Sequence, residues 1–264
     1  VAASHDAVVV ITYAGGDIYR RDRDGQWQEV FHSDEVHPYR VESTGKEFVV
    51  TGQRGIGGSA VVLYSRNQGR DWYEADIDVE ARQNGFAMLS VAHASYWLSS
   101  PYLYRSADGV VWNRVDAGNV DARGGVVEKG GVYVNFIGHR GLYRSLDGQS
   151  WRYVSLAEGS LGRVNIHDLK VTHGQFIGVG ACGHIFVSDT AENLVAVDTG
   201  FENIHSLDAL ASDGDTIIAV GQSNPPDENG ISAITLVSKD GKRWENVSDR
   251  VRTEIAKFRA THPR

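Results

Sequence analysis

The octet RSADGVVW at residues 105–112 returns as RSLDGQSW at residues 144–151. Relaxed copies are SRNQGRDW (65–72), SKDGKRW (238–244), a contracted DRDGQW (22–27) and a decayed SDTAENL (188–194). The closing positions Trp27, Trp72, Trp112, Trp151, Leu194 and Trp244 are spaced by 45, 40, 39, 43 and 50 residues. Self-similarity at a period near 40 residues means a repeat architecture, in which each unit is one supersecondary element. Six such units fill the chain and leave no length for a second globular domain.

The interior of each unit has a common pattern. LKVTHGQFIGVGACGHIFVSD (169–189), LASDGDTIIAVGQ (210–222) and VEKGGVYVNFIGHRGLYRSLDG (127–148) each give a strand, a Gly turn, a strand ending at Gly, a turn, and a strand ending in Ser. The Trp opens a fourth strand, as in WNRVDA and WRYVSL. Val, Ile, Tyr and Phe fill the strands, while Gly, Asp and Asn fill the turns. Thirty glycines against five prolines fit many tight turns. Four short antiparallel strands repeated six times predict an all-β chain, a six-bladed β-propeller of four-stranded antiparallel blades with a short C-terminal helix. The domain organisation predicted is a single propeller over residues 1–249 and an amphipathic tail over 250–264. The first unit opens on its innermost strand, since AASHDAVVVITY (2–13) aligns with LASDGDTIIAVG (210–221). First and last units are then self-contained, and a ring would close by side-to-side packing.

The tail carries Val251, Ile255 and Phe258 at i, i+4 and i+7, with Ser248 or Asp249 as a cap and Pro263 beyond the end. That spacing predicts a helix packing an apolar stripe on the propeller, or offering it to a partner.

The octet resembles the Asp-box, Ser-x-Asp-x-Gly-x-x-Trp, also called the bacterial neuraminidase repeat. SADGVVW, SLDGQSW and SKDGKRW carry the resemblance, with the preceding G-x-x-G-x-[IL]-[FY]-x-S frame at Gly138–Ser145 and Gly180–Ser188. The chain thereby resembles Asp-box propellers of the sialidase-like superfamily along nearly its whole length. The resemblance implies a box placed between the third and fourth strands of each blade. It leaves function open among sialidases, other glycosidases, sorting receptors and assembly factors. It also favours a secreted or periplasmic location.

Turn chemistry gives the octet a structural task. An Asp side chain bonds turn amides, Gly supplies a positive φ, and Trp packs between neighbouring units. Asp24, Asn67, Asp108, Asp147 and Asp240, with Trp27, Trp72, Trp112, Trp151 and Trp244, are therefore expected to build the fold rather than a site.

Recognition is expected on the opposite face, where loops between second and third strands and between units gather. They hold Arg40, Arg54, Arg123, Arg140 and Arg163, with His139, His167, His184 and His205, as candidate ligand-binding residues. Acidic residues interleave with them. Two carboxylates, Asp168 and Asp208, stand at equivalent places on the innermost strands of units five and six. They are the candidate acid/base pair of a glycoside hydrolase or lyase, or else caps on backbone amides. A sialidase requires an arginine triad, a Tyr–Glu nucleophile pair and a Phe- or Tyr-Arg-Ile-Pro motif; YRVE (39–42) is the nearest match and lacks the Pro.

Other classes are disfavoured. A net charge of -8 argues against a general nucleic-acid or anionic-membrane binder. No apolar run is long enough to span a bilayer. The single Cys182 excludes an intramolecular disulfide; with His184 it is a nucleophile–base pair or, more simply, a small filler in a Gly-rich turn. No phosphate loop, dinucleotide fingerprint or short-range ligand pair such as H-x-x-x-H is present, so no cofactor and no metal are expected. The function expected is a non-enzymatic binding or scaffold propeller, monomeric, for a protein segment or a polar or carbohydrate ligand, with glycoside hydrolysis or lysis as the alternative.

Overall fold

The computed structural model describes residues 1–13, 15–55, 57–77, 88–100, 102–117, 124–137, 141–154, 165–224, 226 and 232–261. Among them, twenty-four strands form six four-stranded sheets. In each sheet the strands pair in chain order, so every sheet is a meander of consecutive strands. The first sheet is complete in itself, from Ala2–Ala3, paired with Ala7–Thr12, to Trp27–Phe31. So is the sixth, from Ile204–Ser212 to Trp244–Asn246. The strand boundaries follow the periodicity of the sequence, and the octets fall between third and fourth strands.

The chain divides into two compact units, Val1–Asn135 with Ser145–Arg152, and Phe136–Arg144 with Tyr153–Arg264. In the first, the strand Phe48–Arg54 reads FVVTGQR, apolar at successive positions, as a strand buried on both faces must. Phe48 and Val50 cluster with Val9 and Ile18 of the first sheet. Val49 clusters with Leu89, Leu98 and Tyr104 of the third. In the second unit, Ile177 and Val179 of the fifth sheet pack with Leu207, Leu210 and Ile217 of the sixth. Phe176 and Phe186 are buried on the other parity of the fifth sheet.

One helix, α1 (Ser248–Thr261), follows the last strand. Its apolar stripe is covered unevenly. Val251 is half-buried, but Ile255 is 46% and Phe258 63% exposed. Two hydrogen bonds tie the start of the helix to the sixth sheet. Ser248 Oγ accepts from Thr235 N (2.9 Å), and Arg252 Nη1 donates to Ala233 O (3.4 Å). The cap also differs: Asn246 Oδ1 accepts from Ser248 N at 3.0 Å.

Candidate functional site

The octets share one hydrogen-bond pattern. In the copy at 106–112, Ser106 Oγ accepts from Gly109 N (2.8 Å). Asp108 Oδ1 accepts from Val110 N (3.0 Å) and Val111 N (3.2 Å), and Trp112 Nε1 donates to Gly109 O (2.9 Å). The copies ending at Trp151 and Trp244 repeat each bond. In the 65–72 copy Asn67 takes the Asp role, accepting from Asp71 N, and Trp72 donates to Gly69 O. The contracted copy differs: Asp22, not Asp24, supplies the side-chain acceptor, and Trp27 stays 50% exposed beneath Arg21.

These bonds set the electrostatics of the octets. The Ser150 and Gln149 amides hold the Asp147 carboxyl well below the usual range, as the Arg243 and Lys242 amides do for Asp240. Burial pushes Asp108 up, but the Val110 and Val111 amides and the Arg66 guanidinium outweigh it and leave it lowered.

The octet glycine has a second duty. A Cβ at Gly109 would lie 2.3 Å from Val49 Cγ2, at Gly241 2.5 Å from Ile177 Cδ1, and at Gly69 2.8 Å from Val9 Cγ2. Each turn is tucked against the preceding sheet; one oxygen of each octet carboxylate is spent on turn amides, and the other meets Arg66 at Asp108 and Arg243 at Asp240.

The carboxylate candidates come out differently from one another. The innermost strand of the fifth sheet is bulged between Ile166 and Asp168, and that of the sixth between Leu207 and Ala209. Bulges leave amides unpaired. Asp168 fills the gap: Oδ1 accepts from Leu169 N and Oδ2 from Leu210 N, both at 2.9 Å. Asp208 lies 3.1 Å from His167 Nδ1, which also meets Leu207 O at 3.1 Å. Both contacts need the proton on Nδ1.

Beside them, Cys182 N donates to His205 O (2.8 Å), docking the 181–184 turn on the sixth sheet. His205 is exposed on that strand. The Cys182 side chain is exposed, and its φ of 56° is a turn requirement. His184 packs on Phe186 with its Nδ1 buried and unpartnered among the described residues.

The described arginines are already engaged. Arg40 pairs with Glu42 at 3.2 Å, and Arg54 bridges Glu35 (3.2 Å) and Glu74 (2.8 Å). Arg123, His139, Arg140 and Arg163 lie outside the described residues.

Two features escaped the sequence. A cleft of about 570 Å³ opens where α1 crosses the sixth sheet, lined by Asp208, Val220, Gln222, Thr235, Val251 and Arg252. Its signal was the long, Pro- and Asn-containing loop at 221–233. The other feature is a cluster of Asp17, Glu29 and His32 on the first sheet. The His32 imidazole, hydrogen-bonded to Asp17, lowers the carboxyl below its ordinary value, and Asp17 raises His32 in return.

No protein-family model matches the chain, and no curated protein matches it in sequence. Solved structures do match in fold. YCF48 bound to D1 peptide is 17% identical over 93% of this chain and 78% of its own, with a TM-score of 0.65. YCF48 from Cyanidioschyzon merolae is 14% identical over 92% of this chain and 82% of its own, with a TM-score of 0.62. The GH74 xyloglucanase from Xanthomonas campestris is 18% identical over 91% of this chain, with a TM-score of 0.68, and this chain spans 43% of its length. Identities this low speak to fold alone. With its six sheets of four consecutive antiparallel strands, the chain has the fold of these neighbours, the β-propeller.

Proposed function

We propose that this protein is a non-enzymatic binding propeller of the Asp-box type that recognises a protein segment through its loop-rich face. The observation that carries this reading is the engagement of Asp168. Both its oxygens accept backbone amides, so the pair best placed to run glycoside chemistry has one member committed to holding two bulged strands. A general acid or base must be free to exchange a proton with substrate. A neighbour of the same fold binds a peptide, the D1 peptide of YCF48, which is consistent with a protein partner here. Arg123, Arg140 and Arg163 supply bidentate donors for carboxylates and peptide edges. A glycan is the other polar ligand these groups suit, and hydrolysis or lysis through Asp208 is the alternative.

The test is a peptide array probed with the purified chain, followed by titration of the best binder. The triple change Arg123→Ala, Arg140→Ala and Arg163→Ala is expected to abolish binding. The matched control changes Arg66, Lys239 and Lys242 to Ala. Loss of binding in the control and retention in the triple variant would place recognition on the octet face.

A further inference from the structure

The Asp17–Glu29–His32 cluster is built by a register irregularity. In the first sheet, Asp17–Asp22 pairs with Trp27–Phe31 as Tyr19↔Glu29 and then Ile18↔Phe31, with Val30 as the extra residue of a bulge. Side chains alternate between faces along a strand. Without the bulge, His32 would lie on the face opposite Glu29. The extra residue resets the parity, so Phe31 joins Ile18 at the core while His32 turns to the side of Glu29, Tyr19 and Asp17.

Three donors of different elements of the hairpin thus converge. His32 Nδ1 lies 2.7 Å from Asp17 Oδ1, and its Nε2 lies 3.4 Å from Asp34 Oδ1. One ligating atom each of Asp17, Glu29 and His32 falls within 4.8 Å of the others. Asp17 is aimed from behind: Thr12 Oγ1 donates to its other oxygen, Oδ2, at 2.9 Å. That is the outer-shell support metal-ligating carboxylates use.

We propose that Asp17, Glu29 and His32 form a binding site for a divalent cation of the zinc class. The donor chemistry selects it: an imidazole with two carboxylates suits a borderline transition-metal ion, whereas magnesium and calcium take all-oxygen sets. Tetrahedral bonds of about 2.0–2.2 Å put donor atoms about 3.4 Å apart. Donors that lie within 4.8 Å of one another must therefore shift toward that spacing, and the His32–Asp17 pair at 2.7 Å must open to admit the ion. His32, 52% exposed, and the exposed Glu29 have the freedom to do so, while Asp17, 15% exposed and held by Thr12, stays fixed. The cation takes the place of the proton between His32 Nδ1 and Asp17 Oδ1. Water completes the coordination.

The experiment is competition of the full chain with a chromogenic zinc chelator, with Co²⁺ spectra as a second readout. The expected result is one Zn²⁺ per chain, bound at micromolar concentration and not displaced by a hundredfold excess of Mg²⁺. His32→Ala and Glu29→Gln should each weaken binding at least tenfold with the circular dichroism spectrum unchanged. His93→Ala, at a separate imidazole 3.5 Å from Glu128, should leave binding as it is. Absence of a stoichiometric site below about 100 μM, or equal affinity in folded His32→Ala protein, would overturn the proposal. So would loss of binding in His93→Ala alone.

Discussion

Replacing Ser106 by Ala tests the structural reading of the octet at one atom. Ser106 is 1% exposed. Its Oγ accepts from Gly109 N at 2.8 Å and from Asp108 N at 3.4 Å, and donates to Asp108 Oδ1 at 3.3 Å. Ala removes the acceptor and leaves the Gly109 amide buried with no partner, a loss of about 1–3 kcal/mol. For a chain of this size each kcal/mol moves the melting temperature by roughly 2–4 °C. A drop of about 2–12 °C is therefore expected in a calorimetric scan. Gly109→Ala should cost at least as much for two reasons. Its φ of 75° lies in the left-handed region, worth about 1–2 kcal/mol against a Cβ. The new methyl also meets Val49 Cγ2 at 2.3 Å. In a Val49→Ala background only the second cost is relieved, so the double-mutant cycle should show coupling on the order of 1 kcal/mol. Val111→Ser, at an octet position 62% exposed, is the control and should shift stability by under about 0.5 kcal/mol. A Ser106→Ala protein that melts like the parent, or one that keeps its melting temperature and loses its ligand, would refute the argument.

Three further outcomes follow from the same geometry. The octet carboxyls are depressed in the folded state by turn amides, so below the ordinary Asp value of about 3.9 the unfolded chain binds more protons than the folded one. Their stabilisation is complete above that pH and is lost as pH falls toward the folded values; Asp147→Asn should flatten the acid limb of a denaturation series between about pH 2 and 4. Ala191 occupies the octet Gly position at a φ of 58°, and Ala191→Gly is expected to raise stability by up to about 1 kcal/mol in urea unfolding. Ser248→Ala strips the Thr235 amide and should cost about 1–3 kcal/mol.

The repeat made the architecture legible, because one hydrogen-bond pattern serves the copies ending at Trp112, Trp151 and Trp244 and writes itself into the sequence as Ser, Asp, Gly and Trp at fixed offsets. Asn67 could be placed as an Asp equivalent because the turn asks only for a side-chain oxygen. The contracted copy was harder: with one residue fewer between Gly and Trp, the acceptor moved to Asp22, a shift that residue identity alone does not encode. Candidate site residues were legible as positions but not as roles. The expected equivalence of Asp168 and Asp208 fails: with Ile166 on Gly180 and Leu207 on Gly221, Asp208 is the extra residue of its bulge, as His167 is in the fifth sheet, while Asp168 matches Ala209; the fate of each depends on bulges that free particular amides, and bulges leave no periodic trace. The Asp17–Glu29–His32 cluster was invisible for the same reason, since its donors are separated by a hairpin and aligned by the bulge at Val30. The tail helix was readable from its i, i+4, i+7 spacing, but spacing does not say how far the stripe is covered.

Recognition without catalysis is put to the test by measuring reducing-end release from a panel of polysaccharides and chromogenic glycosides at high protein concentration. No release above the buffer rate is expected, and no difference between the parent chain and folded Asp208→Asn protein. Release that is reproducible, saturable in substrate and abolished by Asp208→Asn with the fold intact would contradict it and make the cleft beside α1 a catalytic one.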